Sequence, residues 1–168
     1  AMEEDALMAF REIEGVEENL ARAMYRLGFR ALEEVAEAAP EELTTIEGIH
    51  GHEGAKALQQ NALGAMDRLR MEKLEVAVSR AEPPTERELL QLVPGVGLRT
   101  LQFLEEGGYR SIRDVVREDP DRLSIKTGLS NRKARAVQAA AKVFASSDLP
   151  EIEARRAQLR QASEAQTS

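Results

Sequence analysis

The sequence predicts an all-α chain of two tandem five-helix units, each carrying two tight hairpins between helices. Three observations predict it. The stretch from Leu7 to Ala65 returns as Glu86 to Ala145, with Ile13-Glu14-Gly15-Val16 answered by Val93-Pro94-Gly95-Val96 and Gly28-Phe29, Val35, Pro40 and Leu43 by Gly108-Tyr109, Val115, Pro120 and Leu123, an offset of 80. Apolar residues recur at helical spacing, as in Leu20, Ala23, Met24 and Leu27 or Leu101 and Leu104, while alternating β-branched runs are absent. A pattern of apolar residue, variable residue, glycine and apolar residue separates the helical segments.

The elements follow in order. In the first copy the pattern predicts helices near Ala6 to Glu12, Glu17 to Leu27, Ala31 to Ala38 and Pro40 to Thr45, with Pro40 at a helix start where its missing N–H is harmless. A long helix begins near His52 and runs to about Arg80, because Leu58, Ala62, Ala65, Leu69 and Val76 return to one face before Pro83-Pro84 stop it. The second copy repeats the plan near Thr85 to Gln91, Leu98 to Glu106, Ser111 to Arg117, Pro120 to Ile125 and Ser130 to Ala145, with Ser111 and Ser130 as N-caps. After Pro150 the pattern gives a loosely held polar helix to about Gln161, and Ser163 to Ser168 read as disordered. The expected division is an acidic repeat over 6–72, a helical extension and linker over 73–84, a basic-leaning repeat over 85–146 and a polar tail over 147–168.

Composition narrows the function. The absence of cysteine excludes disulfides, thiolate metal sites and a cysteine nucleophile. No apolar run approaches the roughly 20 residues of a membrane span, and Ala1 to Phe10 lacks a signal-peptide pattern, so a cytoplasmic location is expected. Ala1-Met2 resembles a tag scar, which would make the chain a fragment of a longer protein. The overall charge of −7 hides an asymmetry: Leu7 to Ala65 holds 11 acidic and 5 basic residues, net −6, whereas Glu86 to Ala145 holds 8 and 11, net +3. Copies so different in charge are expected to face different partners.

The glycine pattern occurs at Ile13-Glu14-Gly15-Val16, Ile46-Glu47-Gly48-Ile49, Val93-Pro94-Gly95-Val96 and, more loosely, Ile125-Lys126-Thr127-Gly128-Leu129. A sharp turn between packed helices needs the backbone freedom of glycine, and the apolar residue that follows plugs the turn into the core. This is the helix-hairpin-helix pattern, and two hairpins joined by a short helix give a SAM/helix-hairpin-helix-like unit. Such hairpins can bind phosphate through backbone amides at a helix N-terminus or serve as packing. Glu14, Glu17, Glu18 and Glu47 would repel phosphate from the first copy. In the second, Arg99 and Thr100 follow Gly95-Val96-Gly97, and Arg132, Lys133 and Arg135 follow Gly128-Leu129, an arrangement able to hold a nucleic-acid backbone. His50, His52 and Glu53 lie too close in sequence to close a tetrahedral metal site, and Glu33-Glu34 and Glu41-Glu42 read as exposed helix faces. With no phosphate loop, nucleophile elbow or dinucleotide fingerprint, no enzyme activity, metal, cofactor or small-molecule substrate is expected.

Ile13-Glu14-Gly15-Val16-Glu17-Glu18, Leu20-Ala21, Leu32 to Ala36, Glu42-Leu43, Ile46-Glu47-Gly48-Ile49 and Ala55 to Leu58 resemble the C-terminal acidic repeats of the NusA family of bacterial transcription elongation and termination factors. The second copy keeps the apolar skeleton but departs in Pro94, Gly97 and its positive charge. The resemblance implies a non-enzymatic module that docks onto the C-terminal domain of the RNA polymerase α subunit or onto antitermination and other regulatory proteins. Its protein-binding residues would be Glu14, Gly15, Val16, Glu17, Glu47, Gly48 and Ile49. The reading that competes with it is a nucleic-acid module gripping phosphates through Gly95, Val96, Gly97, Arg99, Thr100, Gly128, Leu129, Arg132 and Lys133. A structural dimerisation or spacer unit is a third.

Overall fold

A computed structural model describes residues 2–167. It is helical, with no strand among the described residues. Helices α1 (Met2–Arg11), α2 (Glu18–Arg26), α3 (Leu32–Glu37) and α4 (Pro40–Leu43) precede the long α5 (Gly51–Ser79); α6 (Glu86–Gln91), α7 (Leu98–Glu106), α8 (Ile112–Arg117), α9 (Pro120–Thr127) and α10 (Asn131–Val143) repeat the order, and a π-helical turn (Phe144–Asp148) leads into α11 (Leu149–Thr167). Two compact units result: one holds the chain up to Leu69 together with Gly97–Arg99, the other Arg70–Val96 and the chain from Thr100 onward.

The internal repeat is a repeat of cores. Phe10, Ile13, Val16, Ala21, Met24, Val35, Leu43, Ala55, Leu58 and Ala62 are buried in the first unit, and their counterparts Leu90, Val93, Val96, Leu101, Leu104, Val115, Leu123, Ala134, Val137 and Ala141 are buried in the second. Burial of these side chains is the main force that holds helices as short as six residues in place, since isolated helices of that length do not form in water.

Helix α5 serves each unit through a different stripe. Leu58, Ala62 and Ala65 face the first core with Leu69 partly buried, while Leu74, Ala77 and Val78 face the second. Val76, expected on the continuing apolar face, is 57% exposed, because beyond Leu69 the buried stripe moves to other positions.

Side-chain caps fix the starts of the second unit's helices. Ser111 Oγ accepts from Asp114 N–H at 3.1 Å and Ser130 Oγ from Lys133 N–H at 3.1 Å, as the sequence indicates. Thr85 and Glu88 cap α6 reciprocally: Thr85 Oγ1 accepts from Glu88 N–H at 3.1 Å and Glu88 Oε1 from Thr85 N–H at 2.9 Å. Glu88 also accepts two 2.6 Å bonds from the Arg80 guanidinium, the largest of the influences that hold its carboxyl down to about 2. Because that value lies below the ordinary 4.5, Glu88 contributes stability that is fully present above the ordinary value and lost as pH falls through the window between the two. Urea melts across that range should show the stability gap between wild type and Glu88→Gln shrinking towards zero on acidification.

Helix α11 departs from the sequence reading. It is continuous to Thr167, where disorder was expected from Ser163; Ser168 lies outside the described residues. Nor is its start loosely held, since Ile152 and Arg156 are 2% and 4% exposed. The π-helical turn carries the chain from α10 into α11 without a break, and Pro150 falls in the first turn of α11, where a proline is tolerated.

Candidate partner-binding hairpins

Three of the four glycine turns share one construction. Val16 N–H donates to Ile13 O, Ile49 N–H to Ile46 O and Val96 N–H to Val93 O, each at 3.0 Å, closing four-residue turns with glycine third. That third position has φ of +85° at Gly15 and +86° at Gly95, a region that a side chain makes costly. Alanine at Gly95 is therefore expected to cost about 1–2 kcal/mol of stability in the second unit, as measured by urea unfolding.

The fourth turn is built differently from expectation. Helix α9 runs through Thr127 instead of stopping at Ile125, and Gly128 ends it as a left-handed C-cap, its N–H donating to Ser124 O at 2.9 Å. Leu123 and Thr127, four residues apart, turn to the core, and Thr127 Oγ1 donates to Leu123 O at 2.6 Å. This register throws Ile125, the apolar residue that opens the turn in the sequence pattern, outward to 81% exposure.

In the first unit the two hairpins meet: the position of a Cβ on Gly48 would lie 3.5 Å from the Leu20 side chain. Val16 is buried and Ile49 half-buried, whereas Glu14, Glu17 and Glu47 point to solvent. An open depression of about 450 Å³ runs along the first hairpin, lined by Glu12, Ile13, Glu14, Gly15, Val16, Glu17, Asn19 and Leu20, with Arg11 as its cation. Arg68 reaches its rim, donating to Glu12 O at 2.9 Å and to the Glu12 carboxylate at 2.8 Å, and Asn61 donates to Glu14 O at 3.2 Å. The carboxylates of this face outnumber its cations, which suits a basic surface and repels phosphate.

In the second unit the structure brings Gly95 and Lys133 together, the Lys133 ammonium donating to Gly95 O at 2.9 Å. Arg132 is exposed beside it, and Val96 and Leu129 are buried and half-buried in the turns. Arg135 is drawn towards Asp121, 2.9 Å away. Thr100 is buried and contributes no exposed hydroxyl.

Gly97 and Arg99 have a different environment. They fall within the first compact unit, where Arg99 N–H donates to Glu33 Oε1 at 2.7 Å and the Arg99 guanidinium lies 3.0 Å from Glu34. Glu33 is 3% exposed, correcting the reading of Glu33-Glu34 as an open helix face; Glu41 and Glu42 are exposed as expected. A Cβ on Gly97 would come within 2.3 Å of Glu33, so the absence of a side chain permits this approach. The sequence held one trace of it: Gly97 stands where the first copy has Glu17. A carboxylate thus receives a backbone amide at the start of α7, the place that the phosphate reading gives to a nucleic acid.

Among the described residues no cluster of His, Asp and Glu is arranged to hold a metal ion, and no helix is long and apolar enough to cross a membrane. Over 78 residues, 45% of the chain, it is 36% identical to the ATP-dependent DNA helicase Hel308 of Thermoplasma acidophilum, and the match spans 12% of that protein. No solved structure matches it. Tandem hairpin units of this kind are commonly nucleic-acid or protein interaction modules. Residues 7–61 and 86–142, more than half of the chain, match the SAM-like helix-hairpin-helix tandem family, and the chain belongs to that family.

Proposed function

We propose that the chain is a non-enzymatic protein-recognition module of transcription elongation, termination or antitermination, in which the first unit offers its hairpin face to a basic partner. The observation that carries this reading is the exposure of Glu14, Glu17 and Glu47 around turns whose apolar members, Val16 and Ile46, stay in the core. Such a face steers a cationic surface and sets its register, while half-buried Leu20 and Ile49 supply apolar contact. The partner implied by the NusA-like residues is the C-terminal domain of the RNA polymerase α subunit, in a cytoplasmic setting. Titration of the labelled domain at near-physiological salt should saturate and weaken as salt rises. The triple variant Glu14→Lys, Glu17→Lys, Glu47→Lys should lose about tenfold or more in affinity, each reversal removing a fraction of a kcal/mol. Affinity unchanged by the triple variant rejects this face.

A second reading has its own support. Exposed Arg132 beside Lys133 at the capped start of α10, together with the likeness to a DNA helicase, favours nucleic-acid binding by the second unit. That reading predicts salt-steep affinity for duplex or single-stranded nucleic acid, lost on Arg132→Glu with Lys133→Glu.

A further inference from the structure

Ile125 is the most solvent-exposed of the chain's large apolar residues, and it stands on α9 with Arg122 three positions before it and Lys126 directly after. Residues three or four apart on a helix are surface neighbours, so Arg122 and Asp121, the latter paired with Arg135 at 2.9 Å, flank the isoleucine, and Lys126 lies one step round the helix. Lys126 keeps part of its charge engaged with Glu118 at 3.6 Å, and Arg122 is exposed. One apolar residue in water is ordinary and implies nothing by itself. The same chain, however, carries a hollow of the opposite charge on its other unit: the open depression of about 450 Å³ along the first hairpin, bordered by Glu14, Glu17 and the Arg68-paired Glu12, with Arg11 and half-buried Leu20 at its edge.

We propose that these two features recognise each other between molecules, Ile125 of one copy entering the first-hairpin depression of a second copy while Arg122 and Lys126 meet its carboxylates. A knob and a hole on different surfaces of one chain make a head-to-tail contact, which leaves one knob and one hole free and so permits further addition. The opposite net charges of the repeats, −6 over Leu7 to Ala65 and +3 over Glu86 to Ala145, favour this pairing over knob to knob or hole to hole. The contact is small, so association is weak and concentration-dependent. It uses the acidic face that the proposed function assigns to a partner, but it does not need that partner to exist.

Sedimentation equilibrium of the purified chain over a wide concentration range tests it. The weight-average mass should rise above the 18.6 kDa of the monomer at low salt and fall back as salt screens the pairs. Ile125→Asp should weaken association by about tenfold or more, since it replaces the buried apolar group with a charge facing carboxylates. Glu14→Lys with Glu17→Lys should do the same from the other side. Mixing these two variants should restore dimers but nothing larger, because each retains one intact surface. A monomer mass at every concentration, association indifferent to Ile125→Asp, or a mixture that fails to pair would overturn the proposal. Because no polymerase domain or nucleic acid enters the measurement, the partner-docking reading stands or falls separately in its own titration.

Discussion

Arg156→Ala is expected to cost the second unit about 3 kcal/mol and to loosen α11, seen as a lowered urea midpoint with partial loss of helical signal. Arg156 is 4% exposed, and its guanidinium donates to Ala77 O, to Arg80 O at 2.9 Å and to Ala81 O at 3.1 Å, carbonyls at and just beyond the end of α5. The last carbonyls of a helix have no partner within it, and a cation there also meets the negative end of the helix dipole. Removing the donor leaves those acceptors without it, at about 1–3 kcal/mol for a hydrogen bond to a charged group, offset where water enters the space vacated. Lysine should recover less than half of the loss, because an ammonium cannot reproduce the planar fork that spans several acceptors. The neighbouring Arg155 provides the control. It makes a bidentate pair with Glu75, at 3.1 and 2.8 Å, but with the arginine side chain 39% and the glutamate 56% exposed, and Arg155→Ala should leave the urea midpoint nearly unchanged.

Phe144→Ala should have the larger effect, about 4 kcal/mol, because it empties a wholly buried aromatic site in the π-helical turn between α10 and α11. Small domains have total stabilities of about 5–15 kcal/mol, so a loss of that size leaves the second unit near its unfolding threshold at 25 °C. Phe144→Leu should cost much less, since a leucine fills most of the volume. The repeat shows how the two cores differ. Phe144 matches Ala65 of the first copy, while Leu90 matches Phe10, so each unit has one fully buried phenylalanine, placed at opposite ends of its repeat. Phe10→Ala should therefore damage the first unit as Phe144→Ala damages the second. Chemical unfolding followed by a probe in each unit separates the two losses.

Much of this fold was legible in the sequence because it rests on local rules. The offset between the copies, the helix period and the turn glycines involve residues a few positions apart, and Ser111, Ser130 and the turns at Gly15, Gly48 and Gly95 are found as those rules require. The fourth turn escaped because α9 continues to Thr127, and on a helix advancing by about 100° per residue Ile125, two positions from both Leu123 and Thr127, faces away from the core that they enter. Val76 escaped in the same way, on a helix that changes its buried stripe part way along. Charge on the first-copy hairpins was readable, since Glu14, Glu17 and Glu47 lie beside glycines whose turns expose them.

By itself the sequence determined the class of fold, the repeat, the positions of three of the four turns and the sign of charge on each half, because period, backbone freedom and composition are local or additive properties. Only the tertiary structure decided that Glu33 is buried against the Arg99 amide, that Lys133 reaches Gly95 O, and that Arg156 closes on the end of α5 from 79 residues away. Each of these joins groups far apart in the chain that only folding brings within hydrogen-bonding distance, and around the buried Glu33 and Arg156 folding also removes the competing water.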